Sequence, residues 1–369
     1  MLILTVFRIF NGEVKNKATK AFMGEASGIR DYDDIPYPVM LDLNKGMFGE
    51  YWIEDEIKLG GDMKQYATLT EAEKRAYKLQ TSALNWLDSL ATDFNYLLGF
   101  IVTDPATRSV IALINSFEVL HNRSYQYLTS SVLNDAEKKQ VFEEIKNIDV
   151  MVERNMHIIK PIEKAVETMR KYIAGEFVAD EHKVTKEEVM QAIFMATTHY
   201  QILEGIYFSG GFVYFHSLAR AGKMQGSNDM INLIKEDENQ HNVFYGTVIQ
   251  IMVKEYPHLN TEENWNTVVN AYKKAVELEK KWAQYVLRDI DTIGIKEYND
   301  YVEYLANVVA RNSGLEDIFP NNSELKSTWI NTHGSKHKPV NTEAIATRED
   351  FLQANTIAYG HDSGEDFDL

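Results

Sequence analysis

A glutamate and a histidine three positions apart share one face of an α-helix, where a carboxylate oxygen and an imidazole nitrogen can reach the same metal ion. The sequence holds this spacing at Glu118/His121, Glu238/His241 and Glu255/His258. An isolated pair of this kind is usually a solvated surface pair, so its surroundings decide. The first lies in INSFEVLHNRSY and the second in INLIKEDENQH, both with apolar neighbours. The third contains Pro257 where a helix should end, and is set aside. Two further acids, Asp88 in LNWLDSLA and Glu204 in QILEGIYFSGGF, interrupt otherwise apolar stretches. A lone buried carboxylate is costly unless it is paired or binds metal. The order acid, Glu-x-x-His, acid, Glu-x-x-His matches the di-metal carboxylate sites built inside four-helix bundles. Asp88, Glu118, His121, Glu204, Glu238 and His241 suit two iron or manganese ions, and the absence of thiolates argues against zinc or copper.

Tyr125 lies four residues beyond His121 and seven beyond Glu118, on the same helix face. Most tyrosines in such a place are core residues with a satisfied hydroxyl. Beside a metal pair that can activate oxygen, this one becomes a candidate one-electron store. Phe208 and Phe212 follow Glu204 by four and eight residues, and Ile234 precedes Glu238 by four. These three could wall off the phenol from water, a role that ordinary core packing would look the same as. Gly205, Gly210 and Gly211 stand in mid-helix, at roughly 1 kcal/mol each relative to alanine. A π-bulge or a close helix approach would account for them.

Helices are needed to position these residues, and the sequence marks their starts. Thr70 with Glu73, Asn134 with Glu137 and Thr185 with Glu188 read as capping boxes. Asp104-Pro105 opens another helix. From Leu84 to Ile101 apolar residues recur with the helical period. The expected helices run from about 71 to 101, 105 to 131, 134 onward with a kink or end at Pro161, 185 to 222, 228 to 255, 262 to 290 and 296 to 313. Residues 1–70 read as an irregular arm, and only this segment looks able to hold strands. Residues 71–319 read as the helical domain. Residues 320–369, rich in Asn, Ser, Thr and charge, read as an extended, mobile tail.

The chain has 369 residues, no cysteine and a formal net charge of −17, with 44% hydrophobic residues to build a core. Disulfides, iron–sulfur clusters and thiolate nucleophiles are excluded. The acidic balance disfavours nucleic-acid backbones. No phosphate-binding glycine motif is present. MLILTVFRIF lacks a basic leader and a cleavage site, and no stretch is apolar enough to span a bilayer. A cytoplasmic protein is expected.

The stretches EYWIEDEIKL, WLDS, FEVLHNRSY, LEGIYFSGGF and INLIKEDENQH resemble, in order and approximate spacing, the small (beta, radical-generating) subunit of class I ribonucleotide reductases. The resemblance covers most of the chain. It implies an all-α, ferritin-like bundle with the six ligands named above and Tyr125 as the radical site. By the same resemblance Trp52, Asp237 and Tyr359 are radical-transfer residues. It further implies two iron ions per chain, with dimanganese or mixed manganese–iron as alternatives. Activation would come from oxygen or from an oxidant supplied by a flavodoxin-like protein. The implied partners are a large reductase subunit, which the tail would dock, and a second copy of the chain. The glycines of LEGIYFSGGF and the run DENQH stand somewhat closer to class Ib than to class Ia. A ferritin-like di-iron oxidase or monooxygenase would use the same six ligands without a special tyrosine. An iron-storage protein would have little use for a tail bearing an aromatic.

Overall fold

The computed structural model describes residues 10–175 and 183–334. The helices are α1 (Pro38–Phe48), α2 (Gly60–Tyr66), α3 (Glu71–Ile101), α4 (Pro105–Val132), α5 (Asp135–Ile145), α6 (Asp149–Ala174) and α7 (Lys186–Ile202). A π-helical turn (Leu203–Phe208) joins α7 to α8 (Ser209–Arg220). Then come α9 (Gln225–Glu255), α10 (Glu262–Val286), α11 (Ile295–Asn312) and α12 (Trp329–His333). None of the described helices is long and apolar enough to cross a membrane.

The local signals act as expected. The Thr70, Asn134 and Thr185 side chains each accept from the backbone N–H three residues on, and Glu73, Glu137 and Glu188 reach back to the cap N–H. Asp104 accepts from the Thr107 N–H, with Pro105 in the first turn of α4. A turn of three residues joins α3 to α4, so they run antiparallel and pack along each other. The continuous rod α7–π–α8 and the long α9 pack against this pair, and α6, α10 and α11 cover the outer side of the rod.

Three expectations are corrected. The helix beginning at Asn134 does not run to Pro161. It stops at Ile145, where the Asn147 side chain donates to the Glu143 carbonyl and competes with the helical ladder. Pro161 lies inside α6, on a half-exposed face where the carbonyl it leaves without a donor can be hydrated. The N-terminal arm holds no strand among the described residues. It contains α1, α2 and an isolated bridge between Phe22 and Val102. Residues 320–334, expected to be mobile tail, are packed on the body: Ile330 is fully buried and α12 lies on α8. Asn228 and Asn232 of α9 donate to the His333 carbonyl, and the buried Lys235 ammonium donates to that of Gly334 at 3.0 Å. The polar composition of this stretch hid two anchors, an apolar side chain and carbonyls met by buried donors. The rest of the expected tail, including Tyr359, lies outside the described residues.

Candidate metal centre

The two Glu-x-x-His pairs and the two lone acids come from α4, α9, α3 and the π turn, and their side chains converge. Asp88, Glu118, His121 and Glu238 place ligand atoms within 4.8 Å of one another, and so do Glu118, Glu204, Glu238 and His241. Glu118 and Glu238 belong to both groups, as residues that could serve two ions at once. All six side chains have zero solvent exposure. His121 Nδ1 is 3.0 Å from Glu238 Oε1, and His241 Nδ1 is 2.9 Å from Glu238 Oε2 and 3.4 Å from Glu118 Oε1. The third pair stays apart: Glu255 accepts from the Ala21 and Phe22 N–H groups and from Tyr37 Oη, fixing the arm, while His258 is exposed.

The electrostatics of this cluster are unfavourable as it stands. Burial, and then Glu118, pushes the Asp88 carboxyl well up. Burial and the neighbouring Glu204 raise Glu118, while burial and Glu238 push Glu204 up to about 8. Against the pull of burial, Glu238 holds both imidazoles well above their ordinary range. Glu238 itself is lowered, its burial outweighed by the neighbouring Glu204 carboxyl and by the two histidines. Both oxygens of Asp88 and of Glu204, Oε2 of Glu118 and Nε2 of His241 are buried and find no hydrogen-bond partner among the described residues. Orphaned buried polar atoms in such number are rare in native folds and call for a partner that coordinates them. Two divalent cations would neutralise the four carboxylates and coordinate the orphans, so the residues present fit a two-metal carboxylate site.

Glu204 reaches this cluster from the π turn. A π turn closes i→i+5 bonds and carries one extra residue, and such turns recur at functional sites. Gly205 lies in the π turn, and Gly205, Gly210 and Gly211 all stand where a neighbour approaches closely. A Cβ on Gly205 would stand 2.3 Å from Val309 Cγ2, and one on Gly210 would stand 2.9 Å from Glu279 Oε1. The buried Arg154 donates to Glu279 and to the Tyr207 carbonyl, clamping the turn from outside.

Tyr125 is fully buried, and its hydroxyl has no hydrogen-bond partner among the described residues. Burial and then Asp88 push its phenol far up. Phe208, Phe212 and Ile234 are equally buried, the two phenylalanine rings stacked with centroids 6.2 Å apart. Trp52 is nearly buried and its indole N–H donates to Asp237 Oδ2 at 2.7 Å. The same oxygen is 3.0 Å from His121 Nε2, so Trp52, Asp237 and His121 form one line reaching the cluster.

A helical bundle with four buried carboxylates and two histidines from its facing helices has the architecture of the carboxylate-type di-metal proteins. The model of the family "Ribonucleotide reductase, small chain" matches residues 30–326. The ribonucleoside-diphosphate reductase subunit beta of Halalkalibacterium halodurans is 32% identical over 327 residues, covering 88% of this chain and 89% of the relative. The R2 subunit of Clostridium botulinum ribonucleotide reductase superposes with a TM-score of 0.79 at 26% identity, covering 89% of this chain and 98% of that one. The dimanganese(II)-NrdF of Streptococcus sanguinis shares the fold, with a TM-score of 0.68 at 18% identity over 83% of this chain and 98% of its own. This chain belongs to the small-chain family of the ribonucleotide reductases, the beta component of an oxidoreductase.

Proposed function

We propose that this chain generates and stores a tyrosyl radical that starts ribonucleotide reduction in a large partner subunit. The observation that carries the reading is Tyr125: a buried phenol without a hydrogen-bond partner among the described residues, one helical turn beyond His121 of the acid–histidine cluster. Asp88, Glu118, His121, Glu204, Glu238 and His241 would hold two iron ions, or two manganese ions or one of each. When bound, the metal pair supplies the oxidising equivalents for Tyr125, drawn from oxygen or from an oxidant delivered by a flavodoxin-like protein.

The residues of the chain then have separate tasks. Tyr125 gives up one electron to the oxidising equivalents held at the cluster and its phenolic proton to a ligand carboxylate, of which Asp88 weighs most on the phenol. Phe208, Phe212 and Ile234 keep water and reductants from the radical. His121, Asp237 and Trp52 offer a hydrogen-bonded path for the hole toward the surface, and Tyr359 would continue it across the subunit interface. We read residues 1–70 as an arm and 71–319 as the helical domain, with the docking tail beginning beyond the anchored Gly334. A homodimer is supported by Tyr51, Ile53, Tyr96 and Val119, which are exposed and line one surface groove. The cytoplasm is the proposed setting. Tyr125 favours this reading over a monooxygenase or an iron store, neither of which needs an isolated phenol there.

The test is an electron paramagnetic resonance spectrum of the metal-loaded, oxidant-treated chain. Wild type should show a tyrosyl radical and support nucleotide reduction with its large subunit. Tyr125→Phe should take up the same metal and lose both. An unchanged radical signal in that variant would assign the radical to another of the 20 tyrosines.

A further inference from the structure

A second set of phenols borders the acid cluster on the side away from Tyr125. Because α3 and α4 are antiparallel, Asn95, seven residues beyond Asp88, points toward the α3–α4 turn, whereas Tyr125 lies beyond His121 in the opposite direction. Tyr200 precedes Glu204 by four residues and Tyr245 follows His241 by four, each on the face of its helix that carries the ligand. Asn95, Tyr200 and Tyr245 have zero exposure.

Their hydrogen bonds form one chain. Tyr200 Oη donates to Glu118 Oε1 at 3.1 Å, and Asn95 Nδ2 donates to Tyr200 Oη at 3.1 Å. Tyr245 Oη donates to Asn95 Oδ1. The order of protons is forced. A phenol has a single proton, and Glu118 in the ionised form that binds metal, an acceptor only, takes that of Tyr200. Asn95 must therefore offer its NH₂ to Tyr200, which turns its carbonyl oxygen toward Tyr245. Every donor in the chain points toward Glu118, the arrangement in which successive bonds polarise and strengthen one another. The rings are fixed as well: Tyr200 stacks on Phe94 at 4.7 Å and packs on Tyr245 at 4.5 Å between centroids.

We propose that Tyr200, oriented by Asn95 and Tyr245, is a positioning residue that holds Glu118 in the geometry that serves both ions. The proposal rests on the reading of the acid cluster as a two-metal site. One oxygen of Glu118 is engaged by Tyr200, while Oε2 lies 3.7 Å from His121 Nδ1 and has no hydrogen-bond partner among the described residues. The phenol thereby limits how the carboxylate can rotate. Groups that orient a ligand from behind typically contribute ten- to a hundredfold in metal affinity.

The experiment is anaerobic titration of the metal-free, full-length chain with Mn²⁺, reading ion number, affinity and the Mn²⁺ resonance spectrum, with thermal melting as the control for folding. Tyr200→Phe should melt like wild type, bind at least one ion about tenfold more weakly and show an altered spectrum. Asn95→Leu leaves Tyr200 in place but removes its orienting donor, so it should give a smaller change in the same direction. It decides the matter if Tyr200→Phe does not fold. Tyr214→Phe removes an equally buried phenol bond, to the Glu73 carbonyl, far from Glu118. If Tyr200→Phe and Asn95→Leu both titrate like Tyr214→Phe, the positioning role is overturned. If Glu238→Ala also binds two ions with wild-type affinity, the metal-site reading itself falls.

Discussion

Glu204→Gln offers a test in which a metal ligand and a structural carboxylate give opposite signs. Glu204 is fully buried, neither of its oxygens has a hydrogen-bond partner among the described residues, and burial with the nearby Glu238 pushes it up to about 8 from an ordinary 4.5. A group whose folded pKa is raised contributes its stability below the unfolded value and loses it as pH rises through the folded one. In the metal-free chain that loss runs from about pH 4.5 to about 8. At about 1.36 kcal/mol per pKa unit it amounts to roughly 5 kcal/mol, comparable with the whole stability of many domains. Glutamine has the shape of the protonated acid and cannot ionise. Metal-free Glu204→Gln should therefore match wild type near pH 5 and become several kcal/mol more stable by pH 8, by urea denaturation in the presence of a chelator. With excess Mn²⁺ or Fe²⁺ the order should reverse, because metal binding displaces the proton and stabilises more strongly the chain that keeps all six ligands. A metal-free variant less stable than wild type at pH 8 would refute the reasoning, since Glu204 would then be a satisfied structural acid.

Further outcomes are expected. His241→Ala should leave a folded chain that binds fewer than two ions per molecule, measured by elemental analysis of the dialysed protein. Tyr359→Phe should keep the Tyr125 radical and the affinity for the large subunit but abolish turnover, whereas deletion of the last residues should weaken the affinity itself; normal turnover by Tyr359→Phe would remove that tyrosine from the path. Gly205→Ala forces a methyl against Val309 and Asn242, and should cost about 1–3 kcal/mol of stability by denaturant titration, with impaired metal uptake because the π turn carries Glu204.

Much of the site was legible because it depends on helical periodicity. Glu118/His121 and Glu238/His241 are local patterns, and Asp88 and Glu204 stand out as acids in apolar surroundings. The capping boxes at Thr70, Asn134 and Thr185 are equally local, since the partners lie three residues apart. What was missed depends on contacts between distant segments. Nothing near Asn95 in the sequence shows that its amide meets Tyr200 and Tyr245 from two other helices. The only available signal was that all three keep ligand register, at Asp88 plus seven, Glu204 minus four and His241 plus four. Arg154 and Glu279 pair across 125 positions and are buried together, where each alone reads as a surface charge. Pro161 misled because the strength of a helix breaker depends on which face it occupies. Residues 320–334 misled because α9 supplies the donors that their polar backbone needs.

The anchoring of that last segment sets a length. Lys235, Asn228 and Asn232 pin the chain at His333 and Gly334, on the same helix that carries Asp237, Glu238 and His241. Between Gly334 and Tyr359 lie 25 residue steps, and a chain cannot exceed about 3.6 Å per residue, so the tether ends within roughly 90 Å of the pin. Any surface that Tyr359 meets must fall inside that radius. In the radical-transfer reading proposed above, the clamp on α9 would thus set how far the last residues can reach, even though none of its three side chains has a place on that path.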